Sequence, residues 1–340
     1  MINAQTMNAL MHHVQAGYRL FRAFATAGAC CVGLLAIPVG AATVDDWLLQ
    51  TQEATRGRAY TGTLVVSAGE TLSVSKVWHV CDRTTQMERV DSLSGPARTT
   101  IRRNGDVITF VPDKKVAYTD QRESLGLLPT LWRSKGQSMD RLYRLRELGL
   151  QRVAGHDARV VELLPRDASR WGYRIWTESQ TGIVIQLQTL DQRGVVLEQV
   201  AYSELQLNAP VSMQALAQQM ANTDGYVLKP RTLKKNTWPA FVKSKPEAVL
   251  GFSALSCYQR TDADTPTQSI RAHCVFSDGL ASVSVFVEPL RADAVPTPTQ
   301  TVRGATHVVT QSLGSYWVSA MGEAPPETLL RLAKHLIVQP

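Results

Sequence analysis

Few residues in this sequence have the types and spacing that catalysis requires. Ser73 and Lys76 form an S-x-x-K string, which in some hydrolases supplies a nucleophile and a base. The string falls in a predicted β-strand, where a spacing of three places the two side chains on opposite faces. No G-x-S-x-G, H-E-x-x-H, P-loop or G-x-G-x-x-G motif occurs. We therefore predict that the protein is not an enzyme. An active site assembled from distant residues is the alternative.

A metal site is not predicted either. His79 and Cys81 lie two residues apart on the same predicted strand and share a face, but a structural zinc site needs four ligands. The remaining histidines are scattered, and the carboxylates form no obvious pair in the sequence. We expect neither a metal nor any other cofactor.

The cysteines predict one disulfide. Cys257 and Cys274 end two predicted strands that are joined by a polar, turn-rich loop, so the strand ends should meet. An exported protein can keep such a bond. We predict a Cys257–Cys274 disulfide and a free thiol at Cys81.

Apolar and aromatic residues are the most informative feature of the first half of the chain. An antiparallel sheet crossed by the apolar segment LGLLPTLW at 125–132 would use them to line a cavity. An ordinary hydrophobic core is the alternative interpretation of each one. We predict a crevice for acyl chains or an apolar peptide, lined by Leu64, Val66, Trp78, Phe110, Leu128, Leu131 and Trp132.

A second candidate surface combines cations with aromatic residues. Residues 225–246 contain five lysines, one arginine and no acid, which indicates an exposed basic connection or simply a solvated charge run. Tyr316 and Trp317 are adjacent on a predicted strand, so only one of them can face the core. Large aromatic residues are common in interface hot spots. The predicted partner-binding residues are Lys234, Lys235, Trp238, Phe241, Tyr316 and Trp317.

The elements that must position these residues are mostly strands. A helix is predicted from Asp45 to Thr55, followed by antiparallel meanders in which Asn104-Gly105 is the strongest hairpin signal. A short helix is predicted over 211–221. Five more strands and a closing helix from Pro325 to Ile337 follow a basic linker. These spacings predict an α+β fold rather than alternating βαβ units.

Composition limits the class of protein. The chain has 340 residues, of which 44% are hydrophobic and 19% charged, so it can form two domains and is not globally disordered. The net charge of +7 is a mild basic excess, without the concentrated stripe that nucleic-acid binding requires. We expect acidic partners and no nucleic acid.

The N-terminus predicts export. Arg19 and Arg22 precede an uncharged apolar stretch that ends in the small-x-small pattern Val39-Gly40-Ala41, as in a cleavable secretory signal. A membrane anchor is the alternative, although glycines and Pro38 within the stretch weaken a lasting helix. We predict cleavage near Ala41 or Ala42.

Several segments together resemble one family. They are YTGTLVV at 60–66, KVWHV at 76–80, MERVDSLSG at 87–95, VAGHDARVVELLPRD at 153–167, WGYRIWTESQTGIVIQ at 171–186, FSDGLASVSVFVE at 276–288 and GSYWVSAMGEAPPETLLRLA at 314–333. Each match is short, but their order covers nearly all of the chain after the signal. The sequence resembles the RseB/MucB family.

The resemblance implies a periplasmic regulator of the sigma-E envelope-stress response. It implies an antiparallel half-barrel with helices, similar to LolA and LolB, and a smaller mixed α/β C-terminal domain. It further implies binding to the periplasmic part of a membrane-spanning anti-sigma factor of the RseA or MucA type. That binding would shield the factor from regulated proteolysis until lipopolysaccharide or another acyl-chain ligand releases it.

We therefore predict a signal peptide at 1–42, a LolA-like lipid-sensing domain at 43–210, a linker at 211–235 and a partner-binding domain at 236–340. The alternative function is a LolA-like periplasmic carrier of lipid or lipoprotein. A carrier does not need the second domain, so its presence favours the regulator. An exported hydrolase is a third class, and the oligomeric state, including a homo-oligomer, is left open.

Overall fold

Strands make up most of the structure. The computed structural model describes residues 43–121, 138–230, 242–244, 249–260, 271–290 and 299–338. The first part of the chain forms α1 (Val44–Arg56), β1 (Tyr60–Ala68), β2 (Thr71–Cys81), β3 (Gln86–Ser92), β4 (Thr99–Arg103), β5 (Asp106–Val111), β6 (Val116–Gln121), β7 (Tyr143–Val153), β8 (His156–Pro165), β9 (Gly172–Glu178), β10 (Val184–Leu190), β11 (Val196–Leu207), α2 (Met213–Ala221) and β12 (Val227–Pro230).

These strands form one large sheet, which we call the first sheet. Among the described residues it has twelve strands in the order β12-β6-β5-β4-β3-β2-β1-β11-β10-β9-β8-β7. Neighbouring strands are antiparallel except for β12, which runs parallel to β6. The predicted meanders account for this order, because most neighbours in the sheet are also neighbours in the chain.

Turn and capping residues set the ends of these elements. Thr43 caps α1 by accepting a hydrogen bond from the Asp46 amide, and Asp45 lies in the first turn, where the helix dipole favours an acid. Asn104 adopts a left-handed conformation with φ of 52° in the tight turn between β4 and β5. The predicted helix and the predicted Asn104-Gly105 hairpin are both present.

Two helices cover parts of the first sheet. α1 buries Val44 and Leu48 against a cluster that includes Leu163 and Ile175. α2 buries Leu216 against the cluster that contains Phe110. The predicted helix at 211–221 is therefore present, and it packs on the first sheet.

The second part of the chain forms a smaller unit. Its elements are β13 (Val242–Ser244), β14 (Ser253–Arg260), β15 (Arg271–Ser277), β16 (Ser282–Pro289), β17 (Thr299–Arg303), β18 (Thr306–Leu313), β19 (Tyr316–Gly322), α3 (Pro326–His335) and β20 (Leu336–Val338). Six of these strands form the second sheet, in the order β14-β15-β16-β19-β18-β17. β13 and β20 pair separately.

The core of the second sheet lies under α3. Leu329, Leu332 and Ala333 of the helix pack against buried valines and alanines of the sheet. The predicted disulfide is present, since Cys257 and Cys274 are bonded and lie directly opposite each other on β14 and β15. Cys81 is free.

The α+β fold class is confirmed, with a large antiparallel N-terminal sheet and a smaller C-terminal sheet. The closing helix is shorter than predicted. It ends at His335, and residues Leu336–Val338 pair with β13 instead. Tertiary pairing of the last residues overrides their helical periodicity.

Candidate functional site

A buried ion pair joins the first sheet to the second. Arg170, between β8 and β9, has no exposed side-chain surface, and its guanidinium lies 2.7 Å from a carboxylate oxygen of Asp278, which follows β15. The guanidinium also donates to Asp167 and to the backbone carbonyl of Leu250. A buried guanidinium needs an acceptor for its donors, so this cluster fixes the two sheets together at one point.

Asp278 accepts hydrogen bonds from both sheets. The amides of Leu280 and Ala281 donate to one carboxylate oxygen at 2.9 and 2.8 Å, and the Tyr143 hydroxyl donates to the other at 3.3 Å. Burial raises the pKa of Asp278, while Arg170, the two amides and Tyr143 act in the opposite direction. Four donors compensate the ionised carboxylate for its lost hydration.

Further hydrogen bonds cross the same region, which we call the junction. The Trp171 indole N–H donates to the carbonyl of Ala305 at 3.1 Å, and the Thr328 hydroxyl donates to the carbonyl of Ser169 at 2.8 Å. The Ala305 amide in turn donates to the carboxylate of Glu198. The junction therefore consists largely of polar groups that satisfy each other across the two sheets.

An open groove lies beside the junction. It has a volume of about 410 Å³, and strands β1, β2 and β11 of the first sheet and β17, β18 and β19 of the second contribute to its walls. Glu198 and Arg303 are its charged lining residues. Its apolar lining comes from Val66, Ala68, Val302, Val308 and Met321.

The second sheet has two chemically different faces. Along β16, buried Val283, Val285 and Val287 alternate with partly exposed residues, and the buried side packs toward α3. We call the opposite side the outer face. Cross-strand pairing places on it His273, Ser284, Phe286, Val308, Trp317, Ser319 and Met321.

Aromatic rings are prominent on the outer face. The His273 and Phe286 rings stack with centroids 4.3 Å apart, and Trp317 lies two strands from His273 on β19. The sequence analysis did not single out His273 or Phe286. The alternation of valine with other residues in SVSVFVEP could have identified Phe286. Because side chains alternate between faces along a strand, Phe286 must lie on the face opposite to the buried valines.

The two adjacent aromatic residues of the prediction lie on different faces. Tyr316 packs against the core under α3, and Trp317 is partly exposed on the outer face. Val308 and Met321 belong both to the outer face and to the groove. The outer face and the groove are therefore continuous.

The predicted crevice residues do not share one face. In the ladder between β1 and β2, Trp78 lies opposite Thr61, whereas Leu64 and Val66 occupy the alternate positions of β1. Leu64 packs against the cluster around Tyr60, and Val66 lines the groove.

Trp78 and Phe110 lie on the side covered by α2. Arg89 stands over the Trp78 ring at 5.2 Å and also donates to Gln219 of α2. Phe110 is buried in the cluster beneath α2, and its ring makes a T-shaped contact with the ring of Tyr226. Trp78 and Phe110 therefore lie on the opposite face of the first sheet from Leu64 and Val66, because side chains alternate between faces along each strand.

The other predicted site residues lie outside the described part of the chain. For the crevice these are Leu128, Leu131 and Trp132. For the partner surface they are Lys234, Lys235, Trp238 and Phe241.

The residues considered as candidates for catalysis or metal binding lie in surroundings that favour a structural role. Ser73 and Lys76 lie opposite Val66 and Thr63 and so face opposite sides of β2. The His79 ring is 2.7 Å from the Arg58 carbonyl, and burial lowers its pKa. Burial also raises the pKa of the Cys81 thiol, which disfavours the reactive thiolate. Within the described ranges no group of three or more metal-ligating side chains occurs.

No helix in the described part of the chain has both the length and the apolar character that a membrane span needs.

Two family models match the chain, and between them they cover most of it. The MucB/RseB N-terminal domain matches residues 43–220, and the MucB/RseB C-terminal domain matches residues 239–337. All strands of the first sheet except β12, and all six strands of the second sheet, therefore fall within the matched regions.

Curated relatives agree with these models. The sigma factor AlgU regulatory protein MucB of Pseudomonas aeruginosa is 28% identical over 306 residues, covering 88% of this chain and 93% of MucB. The sigma-E factor regulatory protein RseB of Escherichia coli K12 is 26% identical over 248 residues, covering 72% of this chain and 74% of RseB.

Solved structures show the same fold. A chain of the Pseudomonas aeruginosa MucA/MucB complex matches with a TM-score of 0.69 and 25% identity, covering 87% of this chain and 99% of that chain. The crystal structure of MucB in complex with MucA(peri) matches with a TM-score of 0.67 and 24% identity, covering 87% and 98%.

Proposed function

Because the chain belongs to the MucB/RseB family, we propose that it is a periplasmic regulator that binds the periplasmic region of a membrane-spanning anti-sigma factor. In this role it shields the factor from regulated proteolysis and restrains a sigma-E type stress response. The observation that carries the proposal is the match to a chain of the MucA/MucB complex over 87% of this sequence. The curated relatives are named as regulatory proteins, which favours regulation over catalysis.

Export to the periplasm is part of the proposal. A basic, then apolar, then small-residue N-terminus is typical of a secretory signal, with cleavage near residue 42. The Cys257–Cys274 disulfide also suits an oxidising compartment. We divide the exported chain into a lipid-sensing domain that starts at residue 43 and a partner-binding domain at 236–340. The stretch expected to be a linker, 211–235, contributes α2 and β12 to the first sheet.

The partner surface is the outer face of the second sheet. It offers Trp317 and Phe286, whose partly exposed rings match the aromatic character of interface hot spots. Tyr316, predicted for the same role, supports this surface from the core side instead. Lys234, Lys235, Trp238 and Phe241, which lie outside the described part of the chain, are proposed to contact the same partner, with the lysines steering an acidic segment.

A titration of the exported chain with the anti-sigma factor's periplasmic region tests this surface. Trp317→Ala should weaken binding by about 30-fold, the effect of a hot-spot residue, because the ring contacts the partner. Tyr316→Ala, at the neighbouring position, is the matched control. It should lower the stability of the folded chain more than Trp317→Ala does, because its ring packs against the core.

Unchanged affinity in both Trp317→Ala and Phe286→Ala would move the partner site away from the outer face. Wild-type chain that fails to bind the factor at all would reject the proposed function itself.

A lipid signal releases the partner in this proposal. The groove supports it, because apolar residues of both sheets meet there and Val308 and Met321 also belong to the outer face. An acyl chain lying in the groove would therefore compete with a partner at its edge. Leu64, next to Val66 on the same strand face, extends this apolar path into the first sheet.

Release can be measured by adding lipopolysaccharide to the preformed complex. Val302→Asp places a charge on an exposed groove residue and should raise the lipopolysaccharide concentration needed for release by roughly tenfold or more. Leu150→Asp, at an exposed residue of β7, is the control and should behave as wild type. Equal release by lipid in all three proteins would argue against the groove.

A further inference from the structure

Each of the two larger sheets ends in strands that have a neighbour on one side only among the described strands. These end strands are β12 and β7 in the first sheet and β14 and β17 in the second. A free strand edge is a template for a further strand, so proteins usually protect it with prolines, charges or bulges. β12 contains Pro230, and the pairing of β7 and of β14 is irregular. β17 contains no proline, and its pairing with β18 has no irregularity.

The groove opens onto the free edge of β17. Three consecutive residues of this strand, Thr301, Val302 and Arg303, line the groove together with Val66 and Ser73 of the first sheet. Consecutive side chains of a strand point to opposite faces, so a cavity that contacts all three must run along the strand edge. All residues of β17 are exposed. The edge is therefore accessible to an incoming segment.

The turn between β17 and β18 determines which backbone groups are free. It has two residues, and Arg303 lies opposite Thr306 across it. Such a turn closes on a hydrogen-bonded pair, and hydrogen-bonded pairs alternate with non-bonded ones along an antiparallel ladder. The backbone of Thr301 therefore bonds to β18. The amides and carbonyls of Gln300 and Val302 point away from β18, toward the free edge.

Contacts with the first sheet hold the end of this hairpin in place. The Ala305 carbonyl accepts a hydrogen bond from the Trp171 indole N–H at 3.1 Å, and Arg303 Nε donates to the Thr71 hydroxyl at 3.4 Å. A strand edge that is already ordered loses little conformational entropy when another strand pairs with it. The edge of β17 is thus preorganised for binding.

We propose that an extended segment of the partner lies in the groove and adds to β17 as a further strand of the second sheet. This inference rests on the proposed function and specifies how the partner is bound. An acyl chain has no donor or acceptor for the backbone groups of Gln300 and Val302, whereas an extended peptide pairs with them. Thr301 lies opposite Val308 of the outer face, so the added strand continues that face.

The residues around this edge indicate the chemistry of the segment. Arg303 is an exposed cation of the groove, whereas the carboxylate of Glu198 already accepts a hydrogen bond from the Ala305 amide. A partner carboxylate is therefore expected beside Arg303. The segment should match the five residues of β17 in length, contact Val66 with an apolar side chain and contain no proline, which would remove a donor.

Residue-resolved amide hydrogen exchange tests the proposal. It is measured on the exported chain alone and on the chain saturated with the anti-sigma factor's periplasmic region. The amides of Gln300 and Val302 should exchange roughly tenfold or more slowly in the complex, because a hydrogen-bonded amide must open before it exchanges. The Thr301 amide, which bonds to β18, should already be protected in the free chain.

Val302→Pro removes one of the two free amides, and an edge strand tolerates proline where the N–H faces away from its neighbour. It should weaken partner binding by roughly tenfold, because the partner carbonyl loses its donor. Val302→Ala is the matched control. It shortens the side chain but keeps the amide, so it should weaken binding far less. Gln300→Pro and Gln300→Ala repeat the comparison at the other free amide.

Partner binding that leaves the Gln300 and Val302 amides in fast exchange would overturn the proposal but not the proposed function. Equal affinities of the proline and alanine variants at both positions would do the same. Protection in the chain alone that grows with its concentration would assign the edge to a second copy, against the proposal. Wild-type chain that does not bind the factor would instead reject the proposed function, and this inference with it.

Discussion

Arg170 is the residue on which the relation between the two sheets most depends. Its side chain is fully buried, and its acceptors come from both sheets. Removing one member of a buried ion pair leaves the other charged and without its counter-charge, which is more destabilising than removing both. The pair therefore acts as a specific connection rather than as a general source of stability.

Asp278→Asn should lower the free energy of unfolding by about 3–5 kcal/mol, because the fully buried Arg170 guanidinium loses its buried counter-charge and keeps only the partly exposed carboxylate of Asp167. Urea unfolding followed by tryptophan fluorescence measures the change. The double variant Arg170→Met/Asp278→Leu should recover a large part of the loss. If Asp278→Asn were as stable as wild type, the pair would not hold the junction.

At the scale of residues, local patterns predicted some contacts and not others. The alternation rule predicted that only one of Tyr316 and Trp317 faces the core, but the choice between them needed the position of α3. The partners Arg170 and Asp278 are 108 residues apart, so no local pattern links them.

Among the elements, the disulfide between β14 and β15 fixes an edge of the second sheet. Both cysteines are buried in the core under α3, and Cys274 has no exposed surface. β14 is an end strand of the sheet and pairs with β15 alone among the described strands. A covalent link there keeps an edge strand in register.

Replacing Cys257 and Cys274 together by serine should lower the free energy of unfolding by about 3 kcal/mol, since the bridge closes a loop with a sequence separation of 17. Thermal melting under oxidising and reducing conditions measures this effect. Cys81→Ser should melt as the wild type does in both conditions. If the melting temperature of the wild type were the same with and without reductant, the assigned role of the bridge would be contradicted.

The elements that the sequence failed to predict are those without a clean pattern. β7 has charged and exposed residues along most of its length, so alternation is weak, and its pairing with β8 defines it. All residues of β17 are exposed, which also removes the period-two signal. The strongly patterned β16 and the capped α1 were predicted because each shows the periodicity of a half-buried element.

At the scale of the whole molecule, the proposed function depends on how three surfaces meet. The outer face of the second sheet and the groove share Val308 of β18 and Met321 of β19, and the groove and the junction share Glu198 of β11. A ligand in the groove or a change in the junction therefore acts close to the proposed partner site. This arrangement suits a regulator that releases its partner on a signal, because a ligand in the groove would lie next to the outer face.

The central claim is that the exported chain protects an anti-sigma factor from proteolysis. Its most direct test is the rate at which the initiating envelope protease cleaves the factor's periplasmic region, with and without the purified chain. We predict that a saturating amount of chain slows cleavage at least tenfold, and that Trp317→Ala protects only at proportionally higher concentration. Cleavage at the same rate in the presence of saturating wild-type chain would contradict the account.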